Sequence, residues 1–570
     1  MAIILSIKYG GHDTAASLMI NGEIIAACSQ ERYTRDKHSR KFPIDAINDC
    51  LSIGKISITD VDEIAFVNDY KKYIREVYLR TALDSDQRLD FLINDIDRIK
   101  HVYNIEEFIR KQLDFKKKIN FYNHHMCHLA SAYFPSGFKK ALCMSIDGMG
   151  EIETQVFSSV VDGNFKELHS SNIYPNSLGL TYSAITDYLG WKHHCDEGII
   201  MGLAPYGDYN ALVPGQKKTY KEIFEDIIII EDDLKFVINR SYVDYYTVRD
   251  KWVTDKFLKI FGPKRNYSEK IDDNHKNIAS ALQNRLETIV LDQLRKININ
   301  GEYEYLCIAG GVGLNCSLNG KIEKSKIFKE IFIQPASADD GCTIGACYVA
   351  HNDYRTEEFK AKKRINSYKG SSFNNNQIES IIKKYNLDYS KLENIEKETA
   401  KEILDGKIIA WFQGSAEFGP RALGNRSILC KPFPLEMKDY LNKMVKFREE
   451  FRPFAPSVMK EYQNQYFEIS QDSYHMLIAT KVIDDKKNKI PAVVHIDNTC
   501  RVQTVSEESN KKFYKLLNEF NILSGVPVLL NTSFNVKGQP IVNTPTEAID
   551  TFLNTNIDVL CIGDCIIKKS

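Results

Sequence analysis

The stretch Ile3-Ile-Leu-Ser-Ile-Lys-Tyr-Gly-Gly-His-Asp-Thr-Ala-Ala-Ser-Leu-Met-Ile-Asn-Gly-Glu-Ile-Ile-Ala-Ala-Cys28 decides the fold. Ile3–Ile7 is an unbroken apolar run of strand length, which reads as a buried strand. Gly10-Gly11-His12-Asp13-Thr14 follows as a polar glycine turn. Ala16–Ile20 and Glu23–Cys28 flank Asn21-Gly22, and Asn-Gly between two apolar runs is the strongest short hairpin signal. Further on, Ala141-Leu-Cys-Met-Ser-Ile146 is a second buried strand that ends in Asp147-Gly-Met-Gly-Glu151, so the design of an acid and glycines after a strand occurs twice.

Two such turns, one per half, fit an α/β chain of the RNase H/actin type, a duplicated ATPase core that grips phosphate or metal from both sides. His12 and Asp13 then lie at a strand end, where α/β sheets place ligands. The alternative is a surface turn. Between the halves runs Tyr122-Asn-His-His-Met-Cys-His-Leu-Ala-Ser-Ala-Tyr133. In a helix, His124 and His128 share one face, one turn apart, and form half of a site for Zn, Fe or Mn. Cys127 is a candidate soft ligand and His125 points elsewhere. The competing reading is an ordinary helix with partly buried, hydrogen-bonded histidines. Asp339, in Pro335-Ala-Ser-Ala-Asp-Asp-Gly341, is the best carboxylate to complete a His-His-Asp set. His193-His-Cys-Asp-Glu197 is a poorer metal candidate, because consecutive side chains diverge, and reads better as a substrate-lining loop. Leu306-Cys-Ile-Ala-Gly-Gly-Val-Gly-Leu-Asn315 is a strand, a glycine turn and a helix start, where missing Cβ atoms admit a phosphate or adenine to the backbone.

At 570 residues the chain has roughly three or four domain lengths. Its 75 basic and 76 acidic residues leave almost no net charge, which argues against a nucleic-acid coat or a membrane-surface protein. No apolar run approaches a membrane span, and Met1–Gly11 lacks the flanks of a signal peptide. Thirteen cysteines without a CxxC pair read as reduced, buried thiols of a cytoplasmic protein. Charge rises and apolar periodicity fades over 351–372, so the domain boundary is expected there, dividing 1–355 from 370–570. Beyond it, Arg421, Arg426, Lys446, Arg448 and Arg452 are interleaved with Pro, Gly and aromatics. Guanidinium groups on stiff loops suit bidentate phosphate capture, and inter-domain ion pairing is the other reading. Glu31–His38, by contrast, reads as a solvated charge run.

Together these motifs resemble the O-carbamoyltransferase family of nodulation and antibiotic-tailoring enzymes, the NodU/CmcH type. The resemblance runs nearly end to end and is most specific in Glu417-Phe-Gly-Pro-Arg-Ala-Leu-Gly-Asn-Arg-Ser427, Arg452-Pro-Phe-Ala-Pro456 and Leu530-Asn-Thr-Ser-Phe-Asn535. It implies an N-terminal ASKHA domain and a C-terminal YrdC-like α/β domain. The C-terminal domain would make carbamoyl-adenylate from carbamoyl phosphate and Mg²⁺-ATP, with Arg421 and Arg426 on the nucleotide phosphates. Lys446, Arg452, Arg501 and Ser533 would bind carbamoyl phosphate. The N-terminal domain would hold the adenylate on Gly310, Gly311, Gly313 and Asn315, with a metal on His124, His128 and Asp339. Fe²⁺ is favoured by the resemblance, with Mn²⁺ or Zn²⁺ as alternatives. His12 would be general base for a sugar or natural-product hydroxyl, and Lys37 would stabilise charge. The resemblance allows a homodimer and calls for no nucleic acid or membrane. Ile199 stands where family members often have Lys, and Lys431-Pro432 where many have Asp-Pro. Two rival readings remain: a carbamoyl or threonylcarbamoyl transferase acting on protein or tRNA, and a non-enzymatic actin-fold nucleotide sensor.

Overall fold

The protein is described by a computed structural model covering residues 2–169, 171–232, 234–249, 251–354 and 366–569. Strands β1 (Ile3–Lys8), β2 (Ala15–Ile20), β3 (Glu23–Ser29), β4 (Glu63–Val67) and β5 (Lys118–Tyr122) form a sheet in the order β3-β2-β1-β4-β5. β2 is antiparallel to both neighbours, whereas β4 is parallel to β1 and β5. β1 and β4 are covered on both faces, with Ile4, Leu5, Ile7, Ile64, Phe66 and Val67 fully buried, which is why they read as unbroken apolar runs.

The second half repeats this sheet. β6 (Lys140–Ile146), β7 (Glu153–Val161) and β8 (Asn164–Glu167) form its antiparallel part, and Tyr305–Ala309 and Glu330–Ile333 follow in parallel beside β6. Strand order and direction match the first half position for position, which makes the unit a duplicated RNase H-like fold of the actin and hexokinase class. Each half sends a 13-residue helix from its last strand, His124–Ser136 and Cys342–Tyr354. These helices pack backbone to backbone, and a Cβ on Gly345 would overlap the carbonyl oxygen of Cys127. That carbonyl belongs to the histidine helix, so the contact brings the two halves' helices together at the level of the imidazoles.

Residues 390–568 supply a separate eight-stranded mixed sheet, with Ile409–Phe412, Arg426–Cys430, Val528–Ser533 and Ala455–Met459 side by side at its centre. It packs on the first unit at several points. The Asn319 amide donates to the Leu477 carbonyl at 2.9 Å, and Arg32 to that of Gly419 at 2.8 Å. Arg35 donates to the carbonyls of Pro540 and Ile541 at 2.8 and 2.9 Å. The run Glu31–His38 is therefore not a solvated face. Glu31–Thr34 is a short helix, Arg32 is only 6% exposed, and its neighbours reach across to carbonyl groups of the C-terminal unit. Within the expected boundary, 355–365 lie outside the described residues. No helix among the described residues is long and apolar enough to cross a membrane.

Candidate active site: a histidine–carboxylate cage and a basic pocket

The histidine helix starts where two side chains fix it. Asn123 accepts from the Met126 amide as N-cap, and buried Glu151 accepts the His124 amide at 3.0 Å. His124 Nε2 and His128 Nε2 then stand 3.0 Å apart. Asp147 Oδ2 lies 3.0 and 3.1 Å from them, and Asp339 Oδ1 lies 3.4 and 3.7 Å away. Four N and O donors at about 2.1 Å from one ion have edges of about 3–3.5 Å, so this cage has the dimensions of a first-row divalent site. Both imidazoles are buried, and their Nδ1 atoms have no partner among the described residues. Only the Nε2 edges are engaged, and they face the carboxylates.

Burial opposes the charge on Asp339, but Lys8 at 3.2 Å and the imidazoles hold its carboxyl well below the usual carboxylate range. Asp147 is likewise kept ionised, against burial and the Asp339 charge, by hydrogen bonds from both histidines. Cys127 is not in this group; Cys342 is the thiol within reach of the two histidines. His125 is fastened to Ser145 Oγ and the Glu153 carbonyl at 2.9 and 2.8 Å, and burial beside His124 and His128 pulls it down to about 3. It supports the helix and stays neutral.

Asp147 joins the cage to the glycine turn, because its Oδ1 accepts from Gly148 N at 2.8 Å and Gly311 N at 3.3 Å. Gly310 has φ +87°, and a Cβ there would overlap the carbonyl of Ile146. Gly310→Ala should therefore destabilise the protein by at least about 1 kcal/mol, from strain and overlap together. Thermal melting is the measurement, and Gly311→Ala, without positive φ, should cost less. Asn315 caps the following helix, Cys316–Ser325, by accepting from Leu318 N, and exchanges two amide hydrogen bonds with Gln283.

Near the cage, His12 Nδ1 meets Asp13 Oδ2 at 2.8 Å, and the other Asp13 oxygen meets His38 Nδ1 at 2.7 Å. His12 Nε2 is left as the open edge. Burial lowers the His12 pKa, but the hydrogen bond and charge of Asp13 outweigh it and push the group up to about 9. His194 stacks on His12 with ring centroids 5.7 Å apart and stands edge-on to Trp252 at 5.5 Å. Asp13, His38 and His194 all have positive φ, a conformation that costs non-glycine residues energy and concentrates at functional sites. Tyr245 packs beside Trp252 with ring centroids 6.0 Å apart and extends this wall, whereas Tyr246 turns to Asp84 and Arg88. Lys37 is half-buried in the same loop as His38.

The second site is a crowd of cations. Burial and the neighbouring Arg448 and Arg452 hold Lys446 well below its usual range, and its Nζ is fixed by Ser533, by the Asn535 carbonyl at 2.9 Å and by Asn535 Oδ1 at 2.8 Å. Burial, Arg501 and Arg452 pull Arg421 down to about 9. The Nε atoms of Arg421 and Arg501 are buried without a hydrogen-bond partner among the described residues. Glu449 is a carboxylate close to these cations, 3.6 Å from Arg452. Arg426 does not share this pocket's chemistry. It is fully buried over the Phe412 ring at 3.7 Å, and its guanidinium donates to the carbonyls of Ser371, Gln413, Gly414 and Asn425. Those carbonyls occupy the donors a phosphate would need, so Arg426 braces the loop that carries Arg421.

Sequence reasoning placed Arg448 among the phosphate-capturing cations but did not assign Asp147 to the cage. Asp147 had a signal: it ends β6 as the Gly10–Thr14 turn ends β1, at the equivalent point of the duplicated sheet.

Residues 3–348 match the family model described as carbamoyltransferase N-terminus, and residues 400–569 match carbamoyltransferase C-terminus. The chain is 36% identical to the uncharacterised protein sll1178 of Synechocystis, over 100% of this chain and 97% of that protein. It is 35% identical to nodulation protein NolNO of Sinorhizobium fredii, over 98% of this chain and 79% of that one. Full-length HypF in its phosphate- and nucleotide-bound form superposes with a TM-score of 0.31 at 11% identity, over 62% of this chain and 56% of that one; the fold assignment rests on strand order and not on that likeness.

Proposed function

The chain belongs to the carbamoyltransferase family, and from that premise we propose an ATP-dependent O-carbamoyltransferase with two half-reactions, one in each of the units 1–355 and 370–570. In the basic pocket water cleaves carbamoyl phosphate to carbamate and phosphate. The carbamate oxygen then attacks the α-phosphorus of Mg²⁺-bound ATP, giving carbamoyl-adenylate and pyrophosphate. Lys446, Arg448, Arg452 and Arg501 neutralise the anionic donor, with Ser533 beside Lys446, and Arg421 takes the nucleotide phosphates. In the front unit the adenylate lies on the Gly310–Gly313 turn, and the alcohol oxygen attacks the carbamoyl carbon as AMP leaves.

The observation that carries this reading is the contact between the two sites. Arg421 and Arg501 lie beside the Cys316 thiol, on the helix that the glycine turn opens. An intermediate made among the arginines is therefore born next to the turn proposed to hold it, which limits hydrolysis. A divalent ion on His124, His128, Asp147 and Asp339 would supply Lewis-acid polarisation of the carbamoyl oxygen. His12 takes the acceptor proton at Nε2, because Asp13 engages Nδ1 and fixes the ring. Lys37 supplies positive charge nearby, and the wall of His194, Trp252 and Tyr245 supports a ring-bearing acceptor, a sugar or natural product.

A base must be neutral, and His12 is raised to about 9, so the transfer rate should climb with pH and level off above about 9. The same shift has a sign for stability. It favours the fold fully below the ordinary 6.5, and that contribution is lost as pH rises through about 9. His12→Gln should lower transfer by about 10²–10⁴-fold and remove this limb, with pyrophosphate release unchanged. The test is single-turnover transfer from pre-formed carbamoyl-adenylate across pH 6–10; a flat profile in the unsubstituted enzyme would refute the base assignment.

A further inference from the structure

Of the thirteen cysteines, Cys195 alone is not buried among the described residues. The loop that carries it is pinned on both sides. The Asp196 amide donates to the Lys192 carbonyl at 2.9 Å, and Glu197 Oε1 accepts from His194 N and Ser183 Oγ, each at 2.6 Å. The preceding residue, His194, has φ +57° and stacks on His12, which puts Cys195 at the wall of the transfer site.

Its neighbour there is His38. The Nδ1 edge of His38 is taken by Asp13 Oδ1 at 2.7 Å, and Nε2 is buried without a hydrogen-bond partner among the described residues. The Cys195 thiol stands beside this ring, close enough to raise its proton affinity, and Nε2 is the edge left to meet it. Burial opposes a charge on His38, but the charge and hydrogen bond of Asp13 outweigh it and push the group up to about 11. Carboxylate, imidazole and thiol thus follow one another as Asp13, His38 and Cys195. An imidazole held by a carboxylate beside a thiol is the arrangement that makes a cysteine nucleophilic. Such contacts are often long in ligand-free enzymes and tighten when substrate binds. Asp13 holds a second imidazole through its other oxygen, so His12 serves the alcohol while His38 is left for the thiol. Neither Cys195 nor His38 has a part in the two half-reactions.

We propose that Cys195 is a carbamoyl-accepting nucleophile, which takes the carbamoyl group from carbamoyl-adenylate when no alcohol is bound and keeps it as an S-thiocarbamate. This rests on the reading that the front unit receives carbamoyl-adenylate. The thiolate sulfur attacks the carbamoyl carbon, the bond from that carbon to the phosphate oxygen breaks, and AMP leaves with the electron pair. The proton of the thiol–imidazole pair stays on His38. When an alcohol arrives, its oxygen attacks the same carbon and His12 takes its proton. The sulfur then leaves as thiolate, paired again with protonated His38. No oxidant or further co-reactant enters. A thiocarbamate outlasts a mixed anhydride with phosphate in water, so the activated unit is kept from hydrolysis while the site waits.

The test incubates the protein with Mg²⁺-ATP and carbon-labelled carbamoyl phosphate, without acceptor. Peptide mapping should find one carbamoyl group on Cys195, and iodoacetamide should then alkylate that thiol at least about tenfold more slowly than before the incubation. Omitting ATP should remove the label. Carbamoyl phosphate sheds cyanate, which carbamoylates thiols unaided, so equal labelling of Cys195 with and without ATP overturns the proposal. Release of pyrophosphate and AMP with no label on Cys195 overturns it too. A second measurement needs no adenylate. In the protein alone, iodoacetamide should alkylate Cys195 about tenfold faster than in folded His38→Asn and His38→Gln variants, where no imidazole assists the thiol. An unchanged rate in a folded variant overturns the role of His38. If no pyrophosphate is released, the adenylation reading has failed and takes the thiocarbamate with it, whereas fast, His38-dependent alkylation would still place a nucleophilic thiol at this wall.

Discussion

His124→Ala combined with His128→Ala should abolish carbamoyl transfer and leave pyrophosphate release from ATP and carbamoyl phosphate intact. The two imidazoles supply both nitrogen donors of the cage, and their loss leaves Asp147 and Asp339 as the oxygen donors. Transfer should fall by at least about 10³-fold, because the site loses charge stabilisation of the carbamoyl oxygen. Metal content, read by elemental analysis after purification, should fall with it. The double substitution also removes the hydrogen bonds that keep Asp147 ionised while Asp339 keeps Lys8. Breaking a buried network this way costs about 3–5 kcal/mol, so melting temperature must be followed alongside. A folded double variant that transfers at the normal rate would end the proposal for the front unit.

Arg421→Ala is expected to split stability from activity in the opposite sense. Arg421 is half-buried among Arg501 and Arg452, and loss of solvent together with their like charges pulls it down to about 9. Removing it relieves repulsion, so the ligand-free protein should melt no lower than the unsubstituted one, while pyrophosphate release should fall by about 10²–10³-fold. Inorganic phosphate should raise the melting temperature of the unsubstituted protein more than that of the variant, because an anion stabilises only the state in which the cations converge. A variant that loses stability and keeps activity would show that Arg421 is a structural residue like Arg426.

The contrast between those two arginines shows where local reading ends. The hairpin at Asn21-Gly22, the buried strands around it and the His124–His128 face were all legible because each depends on residues within one or two turns of each other. Asp147 and Asp339 lie 192 residues apart in sequence and meet only because the chain builds the same sheet twice. Arg426 and Arg421 belong to one motif, yet Arg426 is the first residue of a strand buried at every position and its guanidinium lies over Phe412, a partner supplied by the neighbouring strand. The His12–His194 stack joins segments 182 residues apart through a left-handed residue that no periodicity announces.

The most direct test of the two-site account is product stoichiometry in the absence of any acceptor. With Mg²⁺-ATP and carbamoyl phosphate both present, the protein should release pyrophosphate and phosphate in equal amounts, with pyrophosphate dependent on both substrates and no ADP formed. Release of ADP, or of phosphate without pyrophosphate, would contradict adenylation and with it the division of labour between the basic pocket and the histidine–carboxylate cage.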